Sequence, residues 1–232
     1  MMRDVSYAYR LGKPVLHSVN LTIESGEVLM ILGRSGAGKT TLLKLAAGLL
    51  KPQSGSVIYE DGRLEGKVSQ SIAYVPQKIG VVENLTVLEN ALLGALGKLP
   101  FLTQVVGSFP KELVARAVEV CEILGLGEHI HAKARELSGG QRQRVAIARG
   151  LVQGAKLVLA DEFVSQLDPL TSLEVLELTR ELKKQGIGFA ITTHDVHFVP
   201  KFGDKVAVIK EGRLVLHSNV SDMSVEEVLN VI

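Results

Sequence analysis

Apolar and polar positions along the chain fall into two rhythms. Residues 27–32 are continuously apolar after Glu27, as a strand buried on both faces is, and strand patterns return at 156–160, 187–192 and 205–209. A further strand is expected at 213–217, and a strand pair at 55–60 and 71–75, separated by the turn at Asp61-Gly62. Residues 15–32 alternate short β-type runs about a turn at Ser25-Gly26. Elsewhere apolar residues recur every three or four positions. That spacing predicts helices from Lys39 to near Lys51-Pro52, over 111–124, and over about 169–185, the last burying Val175, Leu178 and Leu182. From about 84 to 152 the pattern is mainly helical, interrupted between Gly97 and Pro110 by two prolines and two glycines. Strands alternating with helices imply an α/β architecture with a largely parallel sheet and helices on both faces. The helical stretch reads as an insertion into it.

Composition adds mostly exclusions. The chain has 232 residues, enough for one large domain, with 46% hydrophobic and 22% charged residues. Its 26 basic and 25 acidic side chains nearly cancel, so no nucleic acid or anionic surface is expected as a partner. Cys121 is the only cysteine, and it shares a helical apolar stripe with Leu113, Ala117, Val120 and Leu124. A buried structural thiol in a reducing compartment is expected. No apolar run reaches the roughly 18 residues of a membrane span, and the start lacks a signal-peptide core. A cytoplasmic location follows as the expectation.

Three segments carry chemistry. The first, Gly33-Arg34-Ser35-Gly36-Ala37-Gly38-Lys39-Thr40, has the form G-x-x-x-x-G-K-[ST] between a predicted strand and a predicted helix. Its glycines let successive N–H groups point into one concavity, and the helix adds its positive end. Lys39 then reaches the β- and γ-phosphates of a nucleotide, and the Thr40 hydroxyl, followed by Thr41, reaches Mg²⁺.

The second, LVLADE at 157–162, is a buried strand that delivers Asp161 and Glu162 at its C-terminal end, where open α/β sheets bind ligands. Neighbouring strand side chains point opposite ways, so the two carboxylates take different tasks. Asp161 suits Mg²⁺, through water, and Glu162 suits orienting or deprotonating an attacking water. The third, LSGGQRQRVAIAR at 137–149, opens with Ser138 as a predicted N-cap and Gln141 closing a capping box. A helix start bearing a hydroxyl and two glycines, Gly139 and Gly140, is a second phosphate receptor.

Together, in this order, the segments resemble those of the ATP-binding cassette (ABC) family, over nearly the whole chain. The resemblance implies a P-loop NTPase (RecA-like) fold with a mostly parallel sheet, an antiparallel β subdomain and an inserted α-helical subdomain. It implies one domain over 1–232, with a nucleotide-binding core at about 1–83 and 153–232 and a helical signature subdomain at about 84–152. It implies ATP and Mg²⁺ as ligands, and ATP hydrolysis shared by two copies packed head-to-tail. In that arrangement Ser138, Gly139, Gly140 and Gln141 meet the nucleotide held by the other copy.

By the same resemblance Gln77 is the Q-loop glutamine, which senses Mg²⁺ and the γ-phosphate. His194, in ITTHD, is the switch histidine, and Asp168, closing Ser165-Gln166-Leu167-Asp168, belongs to the D-loop. Tyr9, 24 residues before Gly33, is the expected adenine-stacking ring, and Tyr7 the runner-up, on the expectation that alternation turns one inward and one outward. His129 and His131 flank one residue, with no cluster of metal ligands nearby in sequence, and receive no role. Two positions depart from the family. Phe163 stands where a proline follows the catalytic glutamate, and would loosen the turn that aims Glu162; Gln166 stands where the D-loop has a small residue.

The segments VLENALLGALGKLPF and SFPKELVARAVEVCEILGL are similar to the phosphonate-importer subgroup, with the loop around Gly97 to Pro110 the most specific part. That implies a peripheral subunit on the cytoplasmic face of the membrane, working with integral permease subunits and an extracytoplasmic solute-binding protein, on phosphonate or a related oxyanion. The alternatives are a soluble ABC ATPase, for example of the iron–sulfur assembly type, and a phosphotransferase, in which the signature segment has no purpose.

Overall fold

The computed structural model describes residues 1–10, 12–59, 62–63, 68–78, 80–99 and 109–232. Strand parity explains the architecture. Strands β3 (Val28–Leu32), β7 (Leu157–Asp161) and β8 (Gly188–Thr192) are buried at every position. Val28, Met30 and Leu32 enter one core, while Leu29 and Ile31 enter another on the opposite face. Each face is therefore covered, and the unbroken apolar runs follow from that.

With β6 (Ile72–Val75), β9 (Lys205–Lys210) and β10 (Arg213–Asn219), these strands form a six-stranded sheet of order β10-β9-β3-β8-β7-β6. Every pairing is parallel except that of the edge strand β10 with β9. A second, antiparallel sheet has the order β2-β1-β4-β5, from β1 (Met2–Arg10), β2 (Lys13–Leu21), β4 (Ser54–Tyr59) and β5 (Gly62–Arg63). Val5, Leu16, Val19 and Leu21 of this sheet share a core with Leu42, Leu43 and Leu45 of α1 (Lys39–Ala46). The other face of the large sheet is covered by α3 (Lys111–Ile123), α4 (Gly139–Gln153) and α5 (Pro169–Lys184), with α2 (Val87–Leu92) packed on α3 and α4. Two short helices, α6 (Val199–Phe202) and α7 (Val225–Val231), complete that layer.

Two expectations change. The strands expected at 55–60 and 71–75 both exist, but they do not pair: β4 joins the antiparallel sheet and β6 pairs with β7. Turn residues between two strands suggest a hairpin only while nothing else competes for their edges. The helix expected to run to Lys51-Pro52 stops at Ala46. Gly48 takes φ +72, and the N–H groups of Gly48 and Leu49 return to the carbonyls of Leu45 and Lys44, which closes the helix end. Residues 100–108, most of the loop between Gly97 and Pro110, lie outside the described residues. Cys121 is buried in α3, and burial, with the charge of Glu122, pushes its thiol up to about 11. No helix among the described residues is long and apolar enough to cross a membrane.

Candidate active site

Three parallel strands converge on one cleft, because β8 lies between β3 and β7 and all three end at the same edge of the sheet. β3 runs into the loop 33–38, which then enters α1 at Lys39. Gly36 and Gly38 have φ +79 and +107. Gly38 also has no room for a side chain: an added Cβ would lie 2.8 Å from Leu16 Cδ2 and 3.0 Å from the Val15 carbonyl. The loop is closed by Ala37 N–H donating to the Arg34 carbonyl, and Gly212 N–H donates to the Ala37 carbonyl. Ser35, Gly36, Gly38, Lys39, Thr40 and Thr41 line a cavity of about 350 Å³, together with Val15, Gln77 and Glu162. Arg34 and Ala37 line a neighbouring cavity on the other side of the loop.

Glu162 is the meeting point of this cavity. Lys39, 5% exposed, has its Nζ 3.6 Å from Glu162 Oε1, and donates to the Gly33 carbonyl at 2.6 Å. Gln77, just beyond the end of β6, donates from Nε2 to Glu162 Oε2 at 3.0 Å. His194, two residues past the end of β8, places Nδ1 3.5 Å from Glu162 Oε1. Its side chain is 60% exposed. Three residues from three separate stretches of sequence thus converge at the one carboxylate of Glu162.

The backbone that aims Glu162 is unusual. Its φ is +45, a left-handed conformation for a residue with a side chain. The turn is fixed at several points. Glu162 N–H donates to Thr192 Oγ1 at 2.8 Å, and Ser165 Oγ donates to the Glu162 carbonyl at 2.7 Å. Phe163 is 1% exposed in the main core, and its carbonyl accepts from Gln143 Nε2. Phe163 was expected to loosen this turn; the structure buries its ring in the main core instead of leaving it at the surface. Gln166 is exposed, and nothing in the structure explains its difference from the small residue of the family.

Asp161 is almost fully buried beside Glu162 and faces differently. Its Oδ1 accepts from Thr192 Oγ1 at 2.8 Å, and its Oδ2 from the Tyr74 hydroxyl at 3.3 Å. Burial first, then the negative charge of Asp161, pushes the Tyr74 phenol well above the ordinary tyrosine range. Thr192 and Tyr74 were not singled out from sequence. Thr192 was findable: it is the polar end of an apolar strand, and in the sheet it stands directly opposite Asp161. Its hydroxyl donates to the Asp161 carboxylate and accepts from the Glu162 backbone N–H, so it ties the two residues together.

Tyr9 is 56% exposed, with its hydroxyl 3.3 Å from Thr41 Oγ1, at the edge of helix α1. Tyr7 does not face the opposite way. Residues two apart on a strand share a face, and the rings meet edge to face with centroids 5.0 Å apart. Tyr7 is the more buried of the two, packed against the core under the antiparallel sheet.

The signature segment contributes no residue to the cavity lining. Ser138 caps α4: its Oγ accepts from Gln141 N–H at 3.3 Å, and its own N–H donates to Gln141 Oε1 at 2.9 Å. Gly140 is buried against Thr171 and Val175 of α5. Asp168 caps α5, with Oδ1 accepting from Thr171 N–H at 3.1 Å. The hydrogen bonds from the Thr171 side chain and then its N–H hold the Asp168 carboxyl below the usual aspartate range.

Comparison with known proteins gives the family and the overall fold. The sequence profile of the family described as ABC transporter matches residues 16–165. A phosphonates import ATP-binding protein PhnC from Hydrogenovibrio crunogenus is 37% identical over 225 residues, covering 94% of this chain and 83% of that protein. A protein of the same name from Treponema denticola is 34% identical over 237 residues, covering 99% and 92%. Among solved structures, a nucleotide-free ATP-binding cassette from an ABC transporter superposes with a TM-score of 0.85 at 28% identity, covering 99% of this chain and 93% of that one. A dimeric cassette in a post-hydrolysis state bound to ADP and Pi gives 0.79 at 29% identity, covering 94% and 97%.

Proposed function

The chain belongs to the ABC transporter family, and we propose that it is the ATP-hydrolysing subunit of a membrane importer of phosphonate or a related oxyanion. The observation that carries the catalytic part is the convergence of Lys39, Gln77 and His194 on Glu162 at the phosphate-loop cavity. The cargo follows from the names of the relatives, since the residues of this site meet only the nucleotide.

In this reading the N–H groups of 33–40 and the Lys39 ammonium bind the β- and γ-phosphates of ATP. Glu162 accepts a hydrogen bond from the attacking water and draws off its proton as the bond to phosphorus forms. Its present partners set that role up. Once Lys39 turns to the phosphates, the carboxylate keeps Gln77 on Oε2 and presents Oε1 towards the nucleotide. His194, exposed and beside the same oxygen, is placed to donate to the γ-phosphate as charge builds on it. Tyr9 offers an exposed ring for adenine to stack on.

The donor set also suits Mg²⁺, a hard ion that prefers oxygen and keeps several waters. Thr40 supplies a hydroxyl, and each oxygen of Asp161 retains a lone pair beyond its single hydrogen bond. Gln77 spends its N–H on Glu162 and leaves its carbonyl oxygen over. Bound there, the ion would neutralise phosphate charge. Asp161, held by Thr192 and Tyr74, keeps its place without having to reorganise.

The signature end of α4 completes the site from a second copy, where Ser138, Gly139, Gly140 and Gln141 meet the γ-phosphate held by the first. Asp168 and the D-loop cross the same interface. The helical segment at about 84–152 and the residues after Gln77 form the side that receives the permease, on the cytoplasmic face of the membrane, with a solute-binding protein serving the permease outside. Glu162→Gln tests the chemistry. It should bind ATP within about threefold of the parent and lose turnover by at least about 100-fold, as removal of a water-activating group does. Turnover at the parent rate would refute the assignment.

A further inference from the structure

We infer that His129 is a positioning residue for the signature end of α4, holding the Gln141 amide in the one orientation that keeps the Ser138 cap closed. This rests on the reading that Ser138 to Gln141 receive the partner copy's γ-phosphate.

The hydrogen-bond chain fixes each role in turn. Ser138 N–H can only donate, and Gln141 Oε1 lies 2.9 Å from it, so the oxygen of that amide faces the cap. Gln141 Nε2 must then face the other way, where it meets His129 Nε2 at 2.9 Å. The amide nitrogen has only hydrogens to offer. His129 Nε2 is therefore the acceptor, and its proton sits on Nδ1. At the other end of the chain, Ser138 Oγ accepts from Gln141 N–H at 3.3 Å. Accepting leaves the hydroxyl's own proton unspent. Ser138 is exposed, so that proton is available to an anion arriving at the helix start.

His129 is itself held in place. It ends a short 3₁₀ turn, Gly127–His129, whose preceding residue Leu126 is fully buried. His129 N–H donates to the Leu126 carbonyl at 3.0 Å, and its carbonyl accepts from Ala132 N–H at 2.8 Å. Both His129 and Gln141 are partly buried, which shields the bond between them from water. Without an acceptor at this point, the Gln141 amide loses the partner that selects its rotamer. Turning it over would set N–H against N–H at the cap.

The test is steady-state hydrolysis of Mg·ATP, with kcat and KM measured separately on the full chain. His129→Phe keeps a ring of similar size and removes the acceptor. Its kcat should fall about tenfold, the effect of losing a helix cap's worth of interaction, while KM stays within about twofold because the phosphate loop is untouched. His129→Gln restores an acceptor oxygen and should recover kcat to within about threefold of the parent. In a Gln141→Ala background, His129→Phe should add nothing further. The inference is overturned if His129→Phe keeps the parent's kcat, if His129→Gln is no better than His129→Phe, or if the two losses add fully. Ser138→Ala separates the two levels. If it too keeps the parent's kcat, the reading of the signature segment falls, and this inference with it. If Ser138→Ala is impaired and His129→Phe is not, only the role of His129 falls.

Discussion

A left-handed backbone at Glu162 costs about 1–2 kcal/mol, and it persists because its neighbours hold it. Phe163 is the largest of these anchors. The residue before a proline is steered towards extended backbone, so a proline at 163 would disfavour φ +45 at Glu162. In this chain the ring of Phe163 is buried beside that turn. Phe163→Pro should therefore destabilise rather than restore. The expected loss is roughly 3–5 kcal/mol, the range for deleting a buried aromatic, read as a lowered urea midpoint with an unchanged slope. A variant as stable as the parent would show that the turn does not depend on the ring. At this scale the sequence was legible where spacing alone set the position, as in Lys39 and Thr40, which line the cavity. It was silent where a role depends on a neighbour distant in the chain, as for Thr192, Tyr74 and His129, and it misled for Tyr7, where a strand's period of two was misapplied.

Among the elements, α4 shows how packing and chemistry compete for the same glycines. At Gly139 an added Cβ would meet only the far end of Leu167, which can swing aside. At Gly140 it would meet the Thr171 methyl, on a β-branched side chain fixed within α5. The structural need and the phosphate-binding reading thus coincide at Gly140, and sequence could not separate them. Gly140→Ala should cost about 1–3 kcal/mol by overpacking, and Thr171→Ser, which removes the offending methyl, should return most of it. Gly139→Ala should be close to neutral in stability. Equal losses at the two positions in thermal unfolding would contradict this account of the α4–α5 contact. The helices at 111–124 and 169–185 were readable because they are amphipathic on one face. The end of α1 was not, because Leu49 and Leu50 continue the apolar pattern past a glycine that has already closed the helix.

On the proposed reading the molecule as a whole carries two half-sites. The phosphate-loop cavity gathers Lys39, Thr40, Gln77 and Glu162, while Ser138 and its glycines sit at the start of α4 and contribute nothing to the cavity lining. The α/β architecture was legible from alternating patterns, since a doubly covered parallel sheet writes itself as short apolar runs. The assignment of β4 and β6 to different sheets was not, because pairing is decided by the whole set of strands. The central claim is that ATP completes its site only between two copies. Size-exclusion chromatography of Glu162→Gln with and without Mg·ATP tests it most directly. A monomer that becomes a dimer only when Mg·ATP is present is the predicted result; a chain that binds ATP and stays monomeric at every concentration would contradict it.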